Sequence, residues 1–160
     1  MPRRKGISPV IATVIIVAVT IAVAIAVAFW MTGIVGLFTA AEKLEIVALF
    51  AQQQAQGQGG WIVTITVRNT GTTPTSIDEI FINGVPIGQC QNVQLQSPDG
   101  AAINLQQNAI RLNPGAQVGF QINIGQNAQC GTSTFRAGSS IEVKLHSSGG
   151  KEYPKLTVLP

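Results

Sequence analysis

No acidic or basic side chain occurs between Gly6 and Glu42. That gap excludes a solvated amphipathic helix there, because such a helix needs a polar face. Charge is sparse elsewhere too: Asp, Glu, Lys and Arg make up 11% of the 160 residues. There are two cysteines, Cys90 and Cys130, and one histidine, His146. Neither cysteine has the C-x-x-C spacing of a redox or zinc site, and His146 has no second His or Cys near it in sequence. A metal centre or a cofactor is therefore not expected. The formal net charge is +3, all of it in Arg3, Arg4 and Lys5, since the rest of the chain carries as many acidic as basic residues. The remaining cations are scattered, so the basicity is not a nucleic-acid footprint.

What fills the gap is Ile, Val and Ala, with Val10–Met31 broken only by Thr13 and Thr20. A bilayer core about 30 Å thick needs roughly 20 apolar residues in a helix. Ile7–Phe38 exceeds that. Ser8 is placed to cap the helix, and Pro9 sits where its missing N–H costs nothing. The helix is expected from about Pro9 to about Ala41, with Gly33 and Gly36 as its soft points. The basic triplet before it predicts a cytoplasmic N-terminus and export of everything after Phe38. Three uses of this helix are open. A secretory signal peptide would fit Ala24-Ile25-Ala26 or Ala26-Val27-Ala28 as a cleavage site, but its apolar region should end within 7–15 residues. A permanent single-pass anchor is the second. The third is a helix held in lipid and later drawn into a polymer. Ala18, Ala22 and Ala26 recur four apart, as do Ala24 and Ala28, which lets backbones approach closely. Alanine at lipid-facing positions gives the same pattern.

The exported part reads as strands. Lys43–Phe50 alternates with Leu44, Ile46, Ala48 and Phe50 on one side, and Gln52–Gly60 is a polar turn. Trp61–Asn69 alternates through Trp61, Val63, Ile65 and Val67, and Ser76–Ile82 precedes an Asn83-Gly84 hairpin signal. Gln89–Gln107 has no clear period. Val118–Ile124 alternates, and Ile141–His146 with Lys155–Leu159 flanks a Ser147–Gly150 turn. Six to eight short strands between Gly, Pro and Asn turns predict a β-sandwich, so the whole is an α+β chain. Outside the cell a Cys90–Cys130 disulfide would persist, closing a loop of about 40 residues; two separate buried thiols are the alternative.

No catalytic constellation is apparent. The serines lack a nucleophile-elbow context, and Asp78 and Glu79, being adjacent on a strand, should point to opposite faces. Gly57-Gln58-Gly59-Gly60 lacks the lysine and following helix of a phosphate loop. Trp61 and Tyr153 read as core or strand-pair residues before sugar platforms. There is no N-x-S/T sequon.

The start Arg3-Arg4-Lys5-Gly6-Ile7-Ser8-Pro9-Val10-Ile11-Ala12-Thr13, followed by an Ile/Val/Ala helix, resembles the class III signal sequence and N-terminus of archaeal type IV pilins. "VRNTGTTPTSIDEIFINGVPI" and "LNPGAQVGFQINI" look like their immunoglobulin-like domains, more loosely. The resemblance implies cleavage by a prepilin peptidase at Gly6–Ile7, then polymerisation with the helices in the filament core and the sandwiches outside. It divides the chain into a signal peptide (1–6), a helix (7–42) and an extracellular domain (43–160). The filament-core residues would include Ile11, Ala18, Ala22, Ala26 and Trp30. Bacterial type IV pilins carry a Glu at the fifth mature residue, and here that slot is Ile11, so register must come from apolar packing. The partners implied are copies of the chain itself, the peptidase, an assembly ATPase and a membrane platform protein. The membrane holds the precursor, and no nucleic acid is expected. The location implied is a cell-surface filament used in adhesion. The rival is a membrane-tethered immunoglobulin-like binding or accessory module, or a minor pilin, that does not polymerise.

Overall fold

The structure, a computed structural model, describes residues 8–54 and 59–160, apart from the side chains of residues 36–39. It forms two compact units, Met1–Ala40 and Ala41–Pro160. The first is one helix, α1 (Pro9–Thr39), of 31 residues. At 1.5 Å per residue it is about 46 Å long. Pro9 occupies the first turn, and the carbonyl of Ser8 accepts from the N–H groups of Ile11 (3.0 Å) and Ala12 (3.1 Å). The Ser8 hydroxyl itself makes no capping bond. The helix runs through Gly33 and Gly36 and stops at Thr39, two residues short of the sequence expectation, where Ala40 turns extended.

The second unit is a sandwich of two antiparallel sheets. Its strands are β1 (Leu44–Gln53), β2 (Gly60–Asn69), β3 (Thr75–Ile82), β4 (Val85–Pro86), β5 (Gln91–Gln96), β6 (Ile110–Leu112), β7 (Gln117–Cys130), β8 (Ser133–Thr134), β9 (Ser140–Ser147) and β10 (Glu152–Val158). One sheet runs β1-β2-β7-β5, with β8 beside β7; the other runs β10-β9-β3-β4, with β6 beside β3. Without the two-residue strands and β6, this is the ABED and GFC order of an immunoglobulin sandwich. The chain is thus α+β, a long apolar N-terminal helix followed by a β-sandwich.

Alternation sets the core. Val63, Ile65 and Val67 of β2, beside Phe120, Ile122 and Ile124 of β7 in the same sheet, face Ile77, Ile80 and Ile82 of β3 across the interior. Ile141, Val143 and Leu145 of β9 complete it. At Asn83-Gly84 both residues have positive φ (51° and 80°), the conformation of a primed two-residue turn that matches strand twist.

Two bulges correct the sequence reading. In β1 the register slips between Ile46 and Ala48, so Leu44 and Ile46 are buried but Phe50 is turned out and Leu49 and Ala51 pack on the core instead. An extra residue reverses a period-two pattern downstream of it. β1 also continues to Gln53, into what the sequence marks as a turn. In β3 the slip between Ile77 and Glu79 leaves both Asp78 and Glu79 half-buried between the buried Ile77 and Ile80, on one face rather than two. There are ten strands among the described residues, because three short pairings (β4, β6 and β8) carry no periodic signal.

Candidate membrane and assembly segment

Pro9–Val35 is long and apolar enough to cross a membrane. No described side chain of α1 is buried within the chain, and Phe29 and Trp30 are 76% and 68% exposed. Ile11, Ala18, Ala22, Ala26 and Trp30 all lie along the exposed helix. Steps of seven, four, four and four residues place them on one slowly turning stripe, about 40° further round at each step of four. Apart from the indole N–H of Trp30, the polar groups described on this surface are threonine hydroxyls, and each hydroxyl is satisfied locally. Thr13 Oγ1 donates to Val10 O at 2.9 Å, Thr20 Oγ1 to Val17 O at 2.9 Å, and Thr32 Oγ1 to Ala28 O at 3.1 Å and Phe29 O at 3.0 Å. A hydroxyl bonded back to its own helix brings no unpaired group into an apolar phase. Away from the Trp30 indole N–H, the surface is therefore compatible with a water-free surrounding, whether lipid or packed protein. The Gly6–Ile7 bond and the basic triplet lie outside the described residues.

The sandwich grips the residues that follow the helix. Ala41 N–H donates to Thr72 Oγ1 (2.9 Å), and Thr72 N–H returns a bond to Ala41 O (2.8 Å). The carbonyl of Lys43 accepts from Thr70 N–H (2.9 Å) and Gly71 N–H (3.1 Å). Lys151 Nζ donates to Glu42 O at 2.8 Å, and Thr75 Oγ1 donates to the Glu42 carboxylate at 2.6 Å. Turns β2–β3 and β9–β10 thus fix Ala41–Lys43 from two sides. Sequence reasoning missed this collar, since nothing in the spacing of Thr72 or Lys151 marks it.

The two outer faces of the sandwich differ. The strands of the first sheet hold only Glu45 and Arg68 as acidic or basic residues, and these two are cross-strand neighbours at one end. The rest of that face presents Phe50 beside Thr64 beside Gln121 beside Gln96, and Ile62 beside Asn123 beside Gln94. The strands of the second sheet carry Asp78, Glu79, Arg111, Glu142, Lys144, His146, Glu152 and Lys155. Lys144 Nζ meets Glu152 Oε2 at 3.0 Å and sits 5.0 Å from the Phe81 ring centroid. His146 Nδ1 lies 2.8 Å from Asp78 Oδ1. This pair resembles two members of a hydrolytic triad, but no Ser or Cys among the described residues hydrogen-bonds to His146. No cluster of three or more metal-ligating side chains occurs among the described residues.

Cys90 and Cys130 are joined as a disulfide, with Cα atoms 4.3 Å apart. It ties the residue before β5 to the end of β7, within one sheet. An antibody domain instead places its bridge between sheets. Trp61 and Tyr153 are both half-buried against the core. The indole Nε1–H donates to Pro160 O at 2.9 Å.

No family model and no curated protein matches the chain. Among solved structures it is similar to the apo PCuAC domain of PmoF2, at 16% identity and TM-score 0.49, over 75% of this chain and 92% of that one. The copper-bound PCuAC domain of PmoF2 matches at 15% identity and TM-score 0.47, over 74% of this chain and 97% of that one. The archaeal flagellum of Methanospirillum hungatei strain JF1 matches at 18% identity and TM-score 0.45, over 94% of this chain and 88% of that one.

Proposed function

We propose that the chain is the structural subunit of an extracellular filament of the archaeal type IV pilus kind, with α1 in the filament core. One observation carries this reading. A 31-residue helix presents no charge and no unsatisfied hydroxyl on any described face. Such a helix is at home in lipid and equally in a bundle of its own copies. Moving between the two releases no water-exposed apolar area, so close packing must supply the preference. The Ala18, Ala22 and Ala26 row permits that approach.

Arg3, Arg4 and Lys5 hold the precursor with its N-terminus inside. Burying three positive charges in a dry bundle would cost far more than packing returns. A prepilin peptidase therefore cuts at Gly6–Ile7 first, and an assembly ATPase with a membrane platform protein drives extraction. The Cys90–Cys130 bridge suits an exported, oxidising location. The uncharged Thr, Gln and Asn face of the first sheet offers neutral hydrogen bonds to neighbouring copies without charge repulsion. The product acts by structure and surface attachment, not by catalysis.

Electron microscopy of cells with and without the gene tests the proposal. Surface filaments should vanish on deletion and return with the intact chain. Filaments unchanged by deletion would leave a tethered, non-polymerising module instead.

A further inference from the structure

The sandwich has two poles. At one, Leu44 pairs with Asn69, and Ala41 is held by Thr72. At the other end of β2, about 26 Å away at 3.3 Å per residue, Trp61 pairs with Ile124. A cavity of about 320 Å³ opens at this far pole, bounded by Trp61, Phe135, Gln126, Asn127, Gln129 and Arg136. That volume is at the lower end for small-molecule sites.

The chemistry of the lining is specific. Trp61 is held in place by its bond to Pro160 O, and Phe135 is buried. The three amides each offer both donors and an acceptor. No Asp or Glu lines the cavity, and the Arg136 guanidinium makes no ion pair among the described residues. Asn127 holds a positive φ of 56° at the point where β7 continues beyond its partner β2. The backbone of β7 here is already engaged, since Gln129 pairs with both Gln91 and Thr134. An added peptide strand would find no free edge at Gln129, which leaves recognition at that point to side chains.

We propose that this far-pole cleft binds an acidic saccharide, a uronic acid unit of a surface polysaccharide. Its carboxylate would meet the Arg136 guanidinium, which suits that planar, two-oxygen group. Its vicinal hydroxyls, each donor and acceptor, would meet the amides of Gln126, Asn127 and Gln129. One ring face would lie against Trp61. This names a ligand for the adhesive role proposed above, and rests on that reading only for its biological setting.

The test uses the full-length chain in detergent, with Trp30→Phe so that Trp61 is the only tryptophan left. Tri-galacturonic acid is titrated against Trp61 fluorescence, with galactotriose and an oligoglutamate peptide in parallel. A saturable change with tri-galacturonic acid is expected, at least about tenfold tighter than with galactotriose. Arg136→Gln should weaken it about tenfold or more while thermal unfolding stays unchanged. Gln129→Ala, a second lining change, should weaken both sugars alike. No saturable response, equal response to the neutral sugar, tighter binding of the peptide, or indifference to Arg136→Gln would each overturn the proposal. Chains that form filaments but fail this titration would leave the assembly reading intact.

Discussion

Lys155 Nζ donates a 2.7 Å hydrogen bond to the carbonyl of Ile46, the residue at which β1 slips against β2. β1 is an edge of one sheet and β10 an edge of the other. Ile46 is the last residue paired in register before the slip, and its carbonyl accepts from a cation of the opposite sheet. The slip that follows reverses the burial of Phe50, so the edge-to-edge bond sits beside the irregularity that turns an aromatic out.

Lys155→Met should therefore lower stability by about 1–2 kcal/mol, the range for a partly solvated bond to a charged donor. Thermal unfolding of the variant measures it. A loss below about 0.5 kcal/mol, the scatter of surface substitutions, would mean that the sheet edges hold together without this bond.

Asn69 is a stronger case. It is fully buried; its Nδ2 donates to Thr73 O (2.9 Å) and Leu112 O (3.0 Å), and its Oδ1 accepts from Gly71 N–H (2.9 Å). Asn69→Ala takes the side-chain donor from the buried Leu112 carbonyl and the part-buried Thr73 carbonyl, while Gly71 N–H keeps its bond to Lys43 O, so about 2–3 kcal/mol should be lost. Denaturant unfolding should show the midpoint fall with little change in slope. Unchanged stability would require another group to take over both carbonyl bonds.

Closing the 40-residue separation between Cys90 and Cys130 restrains the unfolded chain, an effect of roughly 3–4 kcal/mol on the entropy model. Because β5 and β7 already pair, the fold should survive without the bridge. Cys90→Ala with Cys130→Ala is expected to fold and to unfold at lower denaturant. A double variant as stable as the parent would show that the bridge does not restrain the unfolded chain as argued.

Ala22→Leu keeps α1 apolar and helix-favouring but adds bulk on the Ala18–Ala26 row. Membrane insertion and the sandwich should be unaffected, while filament yield should drop about tenfold or more, the effect of losing roughly 1.4 kcal/mol per contact. Normal filament yield would place this row away from the helix–helix contacts.

How far the sequence revealed this molecule depends on where a period was intact. α1 was legible along its length, though not in its last two residues or its Ser8 cap, because an absence of charge over 30 residues has few physical meanings. The core strands were legible because Val63-Ile65-Val67 and Phe120-Ile122-Ile124 alternate without interruption. The faces of Ala48, Phe50 and Asp78 were misread, since one inserted residue inverts everything after it and a bulge has no residue signature there. Asn69 read as the end of the Trp61–Asn69 strand and no more, because its partners, Thr73 and Leu112, become neighbours only in three dimensions. The far-pole cleft was invisible for the same reason: its lining comes from β2, β7, β8 and the Phe135–Arg136 segment.

The central claim is that α1 is freed of its cationic leader and then packs against copies of itself. Mass spectrometry of the chain recovered from sheared surface filaments tests it most directly. The account predicts a mature N-terminus at Ile7, with residues Met1–Gly6 gone from every subunit. Filaments built from chains that still carry Arg3, Arg4 and Lys5 would contradict it.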